Sequence, residues 1–269
     1  MSFQEQRIGV WFGSEEIPEI QIEHASTLAN IMRKELCFFH ISKEKSAHPT
    51  VLKNMNTVKE RILKEDPVQR VTVEVIEGDY EESLIKAIED LDLLLIVFDK
   101  QKDYKILHSF STTSVPYLFT DKNVDINKAF QNIVFSIGYI KRSKDAALWA
   151  SYIARYNKTN VTLLKASDSD EDDQKIVKAH MYSVENLFEK FDFSYEIKDL
   201  GKPSWRMVNA TYRKAHTLDS GLIIIALSLD NDFITRMIPY YYRRHLIRSK
   251  ETPLLLINSK RDLYTMCGG

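Results

Sequence analysis

Two stretches of this chain can be laid over one another in a single register. Arg7-Ile8-Gly9-Val10-Trp11-Phe12-Gly13 falls on Asn132-Ile133-Val134-Phe135-Ser136-Ile137-Gly138, an offset of 125 (132 − 7). Each is a short apolar run ending in glycine, as suits a buried strand that turns sharply at its C-terminal end. The same offset pairs Ala25, Leu28 and Ala29 with Ala150, Ile153 and Ala154, which have the spacing of a buried helical face. It then carries Cys37-Phe38-Phe39-His40-Ile41 onto Thr162-Leu163-Leu164-Lys165-Ala166, a second strand. A strand, a helix and a strand in one register read as βαβ, twice.

Beyond these elements the correspondence continues with small shifts. Val51, Met55, Val58 and Ile62 make one helical stripe, and Ile176, His180, Val184 and Leu187 its counterpart. Val71, Val73 and Val75 alternate like a half-buried strand, as do Phe193, Tyr195 and Ile197. Glycine follows each of these strands (Gly78, Gly201) and then a helix start, Asp79 with Glu82 in one copy and Pro203 in the other. Asp92 to Phe98 and Gly221 to Leu227 are continuous apolar runs, typical of central parallel strands covered on both faces. Last come two proline-led strands, Val115-Pro116-Tyr117-Leu118-Phe119 and Thr252-Pro253-Leu254-Leu255-Leu256-Ile257.

Strands alternating with helices predict an α/β fold: two tandem, doubly wound, parallel five-stranded sheets. The polar stretch Asp121 to Asp125 suits a linker, giving domains 1–124 and 125–269. The first is shortened after its fourth strand, since Phe98 to Pro116 is shorter than Leu227 to Pro253. A length of 269 residues, 44% hydrophobic and 28% charged, fits two ordinary globular domains. The longest purely apolar runs, such as Leu93 to Phe98, are too short to span a membrane. Met1 to Arg7 carries no apolar leader core, and Cys37 and Cys267 form no disulfide or metal framework. A cytoplasmic protein is the expectation.

In its order of elements, repeat length and local text, the chain resembles the universal stress protein family in its tandem form. The closest text is Ile133 to Ala166, including Ser143-Lys144-Asp145-Ala146-Ala147 and Val161-Thr162-Leu163-Leu164, together with the Pro253-Leu254-Leu255-Leu256-Ile257 ending. The resemblance implies a Rossmann-like sheet of the adenine nucleotide alpha hydrolase type in each half and an internal pseudo-dimer. ATP-binding members carry an aspartate after the first strand and a G-x-x-G-(nine residues)-G-[ST] loop after the fourth. Such glycines let backbone N–H groups approach phosphate at a helix N-terminus. Here Gly13 and Gly138 hold the aspartate position. Leu227 (or Ala226), Asp230 and Tyr240 hold the glycine positions, and Tyr241 the hydroxyl one. No glycine occurs between Gly221 and Gly268. Asp230 would repel a triphosphate by on the order of 1 kcal/mol even under strong screening.

The resemblance therefore implies a binding or regulatory protein of the stress response that does not hold ATP in the family's usual way. It would act on a protein partner or a small ligand, without catalysis, and a homodimer is compatible with it. The alternative is a degenerate ATP or AMP binder with weak hydrolysis. Its crevice would lie at the C-terminal ends of the first and fourth strands, near Ile137, Gly138, Ala166, Leu227 and Ser228, with Arg236 on phosphate. A third reading is an anion or nucleic-acid surface on Arg243, Arg244 and Arg248, because Lys and Arg outnumber Asp and Glu eleven to five from Lys202 to Asp262. Against it stand the overall net charge of −1 and an ordinary amphipathic reading of Tyr240 to Lys250. The acidic run Asp168 to Asp173 lacks the glycine and glutamate of a calcium loop and reads as a helix start. The seven histidines show no metal spacing, and no nucleophile motif or paired catalytic carboxylates stand out.

Overall fold

The computed structural model describes residues 6–44, 48–100, 102, 104–140, 143–191, 193–227, 249 and 251–258. The chain divides into two compact units, Met1–Lys122 and Asn123–Gly269. In the first, β1 (Arg7–Trp11), α1 (Glu19–Met32), β2 (Glu35–Ser42), α2 (His48–Glu65), β3 (Val71–Glu77), α3 (Tyr80–Asp90), β4 (Leu93–Asp99) and β5 (Tyr117–Thr120) follow in turn. A 3-10 helix over Tyr104–Ser111 is the link between β4 and β5. The second unit has β6 (Asn132–Ile137), α4 (Ser143–Asn157), β7 (Asn160–Lys165), α5 (Glu171–Phe188), β8 (Tyr195–Asp199), α6 (Met207–Thr217), β9 (Leu222–Leu227) and β10 (Leu254–Asn258).

Within each unit the five strands are parallel. They lie in the order β3-β2-β1-β4-β5 in one and β8-β7-β6-β9-β10 in the other. Right-handed crossovers then set the first two helices of each unit on one face and the third on the other. The repeat extends to hydrogen-bond register: Arg7 lies opposite Glu35, and Asn132 opposite Asn160. Both partners have moved by 125 residues.

The core is built from the strands buried on both faces and the inner stripes of the helices. Leu93 to Phe98 are all buried, as a central parallel strand requires. Ala25, Leu28 and Ala29 on α1 and Ala150, Ile153 and Ala154 on α4 are also buried, their small side chains letting helix and sheet approach closely. At the start of β9, Gly221 is required by a close approach, since a Cβ there would lie 2.0 Å from the Lys128 carbonyl oxygen. Asp79 caps α3 by accepting from the Glu81 N–H at 3.2 Å.

Two expectations need correction. On α2 the buried residues are Val51, Met55, Val58 and Ile62, as the spacing predicts, but on α5 they are Val177, Met181, Val184 and Phe188. Ile176 is 41% exposed. Phe188 decides the rotation: its ring packs edge-on against Phe135, Phe193 and Tyr195, which turns Val177 inward in place of Ile176. The alternation expected for Phe193, Tyr195 and Ile197 also fails, since Ile197 is 39% exposed at the outer strand β8.

These packing assignments separate two neighbouring residues. Phe188→Ala should cost about 3–5 kcal/mol in urea unfolding, and Ile176→Ala about 0.5 kcal/mol or less. Equal costs would restore the stripe read from spacing alone.

Candidate functional site

Strand order reverses beside β1 and β6, and there the sheet opens. On one side β6 stays paired with β7 as far as Ile137 opposite Lys165. On the other its pairing with β9 ends at Phe135 opposite Ile224. The strand ends beyond those positions diverge, and the ligand crevice of an open α/β sheet forms at such a place. The geometry brings Ile137, Gly138 and Ala166 together at this end, with the Ala166 N–H donating to the Ile137 carbonyl at 3.0 Å. Leu227 closes β9 opposite Asn258. Ser228, Asp230, Arg236, Tyr240, Tyr241, Arg243, Arg244, Arg248 and Cys267 lie outside the described residues.

The turn after β6 is already satisfied by protein. The Gly138 carbonyl accepts from Ser143 Oγ at 3.1 Å and from His180 Nδ1 at 2.9 Å. The next N–H, that of Tyr139, donates to Ser204 Oγ at 2.9 Å. Ser204 is buried and held in turn by Asp168, whose carboxylate accepts from its N–H at 2.8 Å and from its hydroxyl. A Cβ on residue 138 would lie 2.7 Å from Ser204 Oγ and 2.9 Å from its Cβ. Ser204 therefore fills the space that a side chain at position 138 would need.

Sequence reasoning missed Ser204, because the 3-10 helix Ser204–Arg206 that presents it carries no motif. In the sequence Asp168 is indistinguishable from the rest of the acidic run Asp168 to Asp173. The rest of that run opens α5 as expected, Asp170 accepting from the Asp172 and Asp173 N–H groups at 3.0 Å. Among the described residues no group of three or more His, Cys, Asp or Glu side chains is arranged to hold a metal ion.

The same crevice in the first unit is a cleft of about 580 Å³ beside Gly13. Glu16, Glu19, Asp99 and Asp121 line it, against Lys102 and Lys122. Lys102 Nζ pairs with Glu16 at 2.6 Å, and Arg61 pairs with Glu19. An excess of carboxylates disfavours phosphate there.

Beneath this cleft lies a buried polar group. His24 Nδ1 donates to the Ile20 carbonyl at 2.8 Å, which leaves Nε2 to accept from the Thr120 hydroxyl at 3.2 Å. Burial lowers the His24 pKa and so favours the neutral ring. Gln21 Nε2 donates to the Thr120 carbonyl at 3.2 Å. Lys100 is only 6% exposed, and burial lowers its pKa to about 8 against the opposing pull of Asp121 and Asp99.

No protein-family model matches the chain, and no curated protein matches it. Solved structures do. A universal stress protein from Archaeoglobus fulgidus DSM 4304 aligns with 93% of this chain and 96% of its own, at 12% identity and a TM-score of 0.66. The chain has the universal stress protein fold. A functionally unknown protein from Pseudomonas aeruginosa PAO1 aligns with 95% of this chain and 93% of its own, at 15% identity and a TM-score of 0.66. Another chain, from Pseudomonas aeruginosa UCBPP-PA14, reaches a TM-score of 0.67 at 14% identity, covering 94% of this chain and 93% of its own. Coverage of nearly the whole chain means that both units take part in the likeness.

Two measurements test this site. Gly138→Ala should destabilise the protein by about 1–3 kcal/mol, and much less in a Ser204→Gly background, as expected of a clash with that side chain. Equal costs in both backgrounds would show that Ser204 is not the obstacle. The second concerns Lys100. Its folded pKa lies below the unfolded one, so the cost of burying its charge is present below pH 8 and is relieved as pH rises toward about 10.5. Relative to Lys100→Met, wild-type stability should gain about 3 kcal/mol over that interval. The alkaline losses from Cys37 and Tyr117, both raised by burial, cancel in the comparison.

Proposed function

We propose that the chain is a tandem member of the universal stress protein family that works in the stress response as a cytoplasmic binding or regulatory module. On this reading it acts by contact with a protein partner or a small ligand and catalyses no reaction. It does not hold ATP in the family's usual way. The observation that carries the reading is the buried Ser204 side chain above Gly138, the position at which ATP-binding members of the family carry an aspartate after the first strand. The Gly138 carbonyl and Tyr139 N–H of that turn already have protein partners. The loop after the fourth strand adds the absence of any glycine between Gly221 and Gly268. Should a nucleotide enter this unit, the residues to meet it are Ile137, Gly138, Ala166, Leu227 and Ser228, with Arg236 toward phosphate.

Thermal unfolding with and without millimolar Mg-ATP tests this, together with assay of nucleotide released on denaturing the purified protein. Ligand at 100 times its dissociation constant would add about 2.7 kcal/mol and raise the melting temperature by about 5–10 °C. The expected result is no shift and no released nucleotide. A shift, or co-purified adenine nucleotide, overturns the reading in favour of a degenerate nucleotide binder.

A further inference from the structure

The outer face of α6 and the loop before it form a groove of about 530 Å³ in the second unit. Lys202, Arg206, Arg213 and Lys214 line it, and no carboxylate does among the described residues. Trp205 stands in it 63% exposed, with the Arg206 guanidinium carbon 4.3 Å from the ring centroid. The chain's other tryptophans, Trp11 and Trp149, are buried.

Two facts separate this groove from an ordinary solvated helix face. The first is the placing of the charges. Lys202 and Arg206 sit at the N-terminal end of α6, where the helix dipole disfavours cations, so they do not serve helix stability. The second comes from the repeat. In the first unit α3 holds the equivalent place between third and fourth strands, and it carries Glu81, Glu82, Glu89 and Asp90 against Lys86. The same helix of the same fold is acidic in one copy and basic in the other. The fold does not require the cations, and gathering them around an exposed indole has a cost that a ligand would offset.

We propose that this groove docks an acidic segment of a partner protein, its carboxylates on Lys202, Arg206, Arg213 and Lys214 and an apolar side chain on Trp205 and Leu200. Arginine and tryptophan are the residue types that carry most binding energy at such contacts. The extent of the positive track favours a short peptide over nucleic acid. The 11 residues of α6 span about 16 Å, the length of five extended residues. At the upper end the track stops, because Asp168 grips Ser204 and the Ser167 N–H donates to the Lys202 carbonyl at 2.8 Å. Asp170, Glu171, Asp172 and Asp173 follow at once and would repel a polyanion extending past the groove. A single aromatic ring is also a poor platform for a series of bases.

Because Trp205 is the exposed tryptophan, intrinsic fluorescence reports on the groove directly. The probes are a blocked heptapeptide of glutamates around a central leucine, its glutamine counterpart, and a ten-nucleotide oligo(dT). The glutamate peptide should change the emission saturably at millimolar concentration, about fivefold more weakly in 300 mM than in 50 mM NaCl. The glutamine peptide should not. Arg213→Glu with Lys214→Glu should weaken binding at least about tenfold with an unchanged circular dichroism spectrum, and Trp205→Phe should abolish the signal. If the double variant fails to fold, Lys202→Glu in the loop should still weaken binding. The proposal is overturned if the glutamate peptide gives no saturable response, if the charge-reversed chain binds it equally, or if oligo(dT) binds more tightly.

Discussion

Parallel strands cannot be joined by tight turns, so within each unit every strand is joined to the next by a crossover that must return to the same end of the sheet. The first two crossovers of each unit carry the chain outward to one side, and the third brings it back across the starting strand. β1 and β6 are therefore flanked by neighbours reached in opposite directions. Pairing of β6 with β9 stops two positions before its pairing with β7 does, as Phe135 against Ile224 and Ile137 against Lys165 show. The crevice is a consequence of topology. What stands in it is left to the side chains.

The two copies treat that crevice differently. In the first unit it is a carboxylate-lined cleft above a buried polar group in which Lys100 and His24 are both shifted toward their neutral forms. In the second, Ser204 comes across from the segment after β8, takes the space over Gly138 and is anchored by Asp168. A buried hydroxyl and carboxylate need their hydrogen bonds satisfied, and here they satisfy each other and the turn together. Glycine at the end of the strand then has a concrete role, since it is the residue that leaves room for Ser204.

The same divergence appears on the third helix of each unit. Burial of Leu84, Ala87 and Ile88 on α3 is matched by Met207, Thr211, Tyr212 and Ala215 on α6, so the inner faces answer the same packing demand. The outer faces carry opposite charge. A duplicated fold holds its buried positions to one pattern through close packing, whereas exposed charges contribute little to stability and are free to serve contact.

Much of this was legible in the residues themselves. The 125-residue register determined both βαβ starts, while spacing and apolar runs determined the helical stripe of α2 and the buried strands Leu93 to Phe98 and Leu222 to Ile225, because periodicity and apolar runs report local geometry directly. The absence of glycine after the fourth strand was equally a property of the sequence. Tertiary structure decided the rest. The stripe of α5 turned by one residue because Phe188 found a pocket among rings from two other strands and a loop, which spacing within the helix cannot register. Ser204 and Asp168 are 36 residues apart, and nothing in either segment marks them as partners. Their bond exists because β7 and β8 are neighbours in the sheet, and so their following loops emerge at the same end. The cationic groove likewise needed folding, which set Lys202 beside one face of α6 and left Trp205 exposed between them.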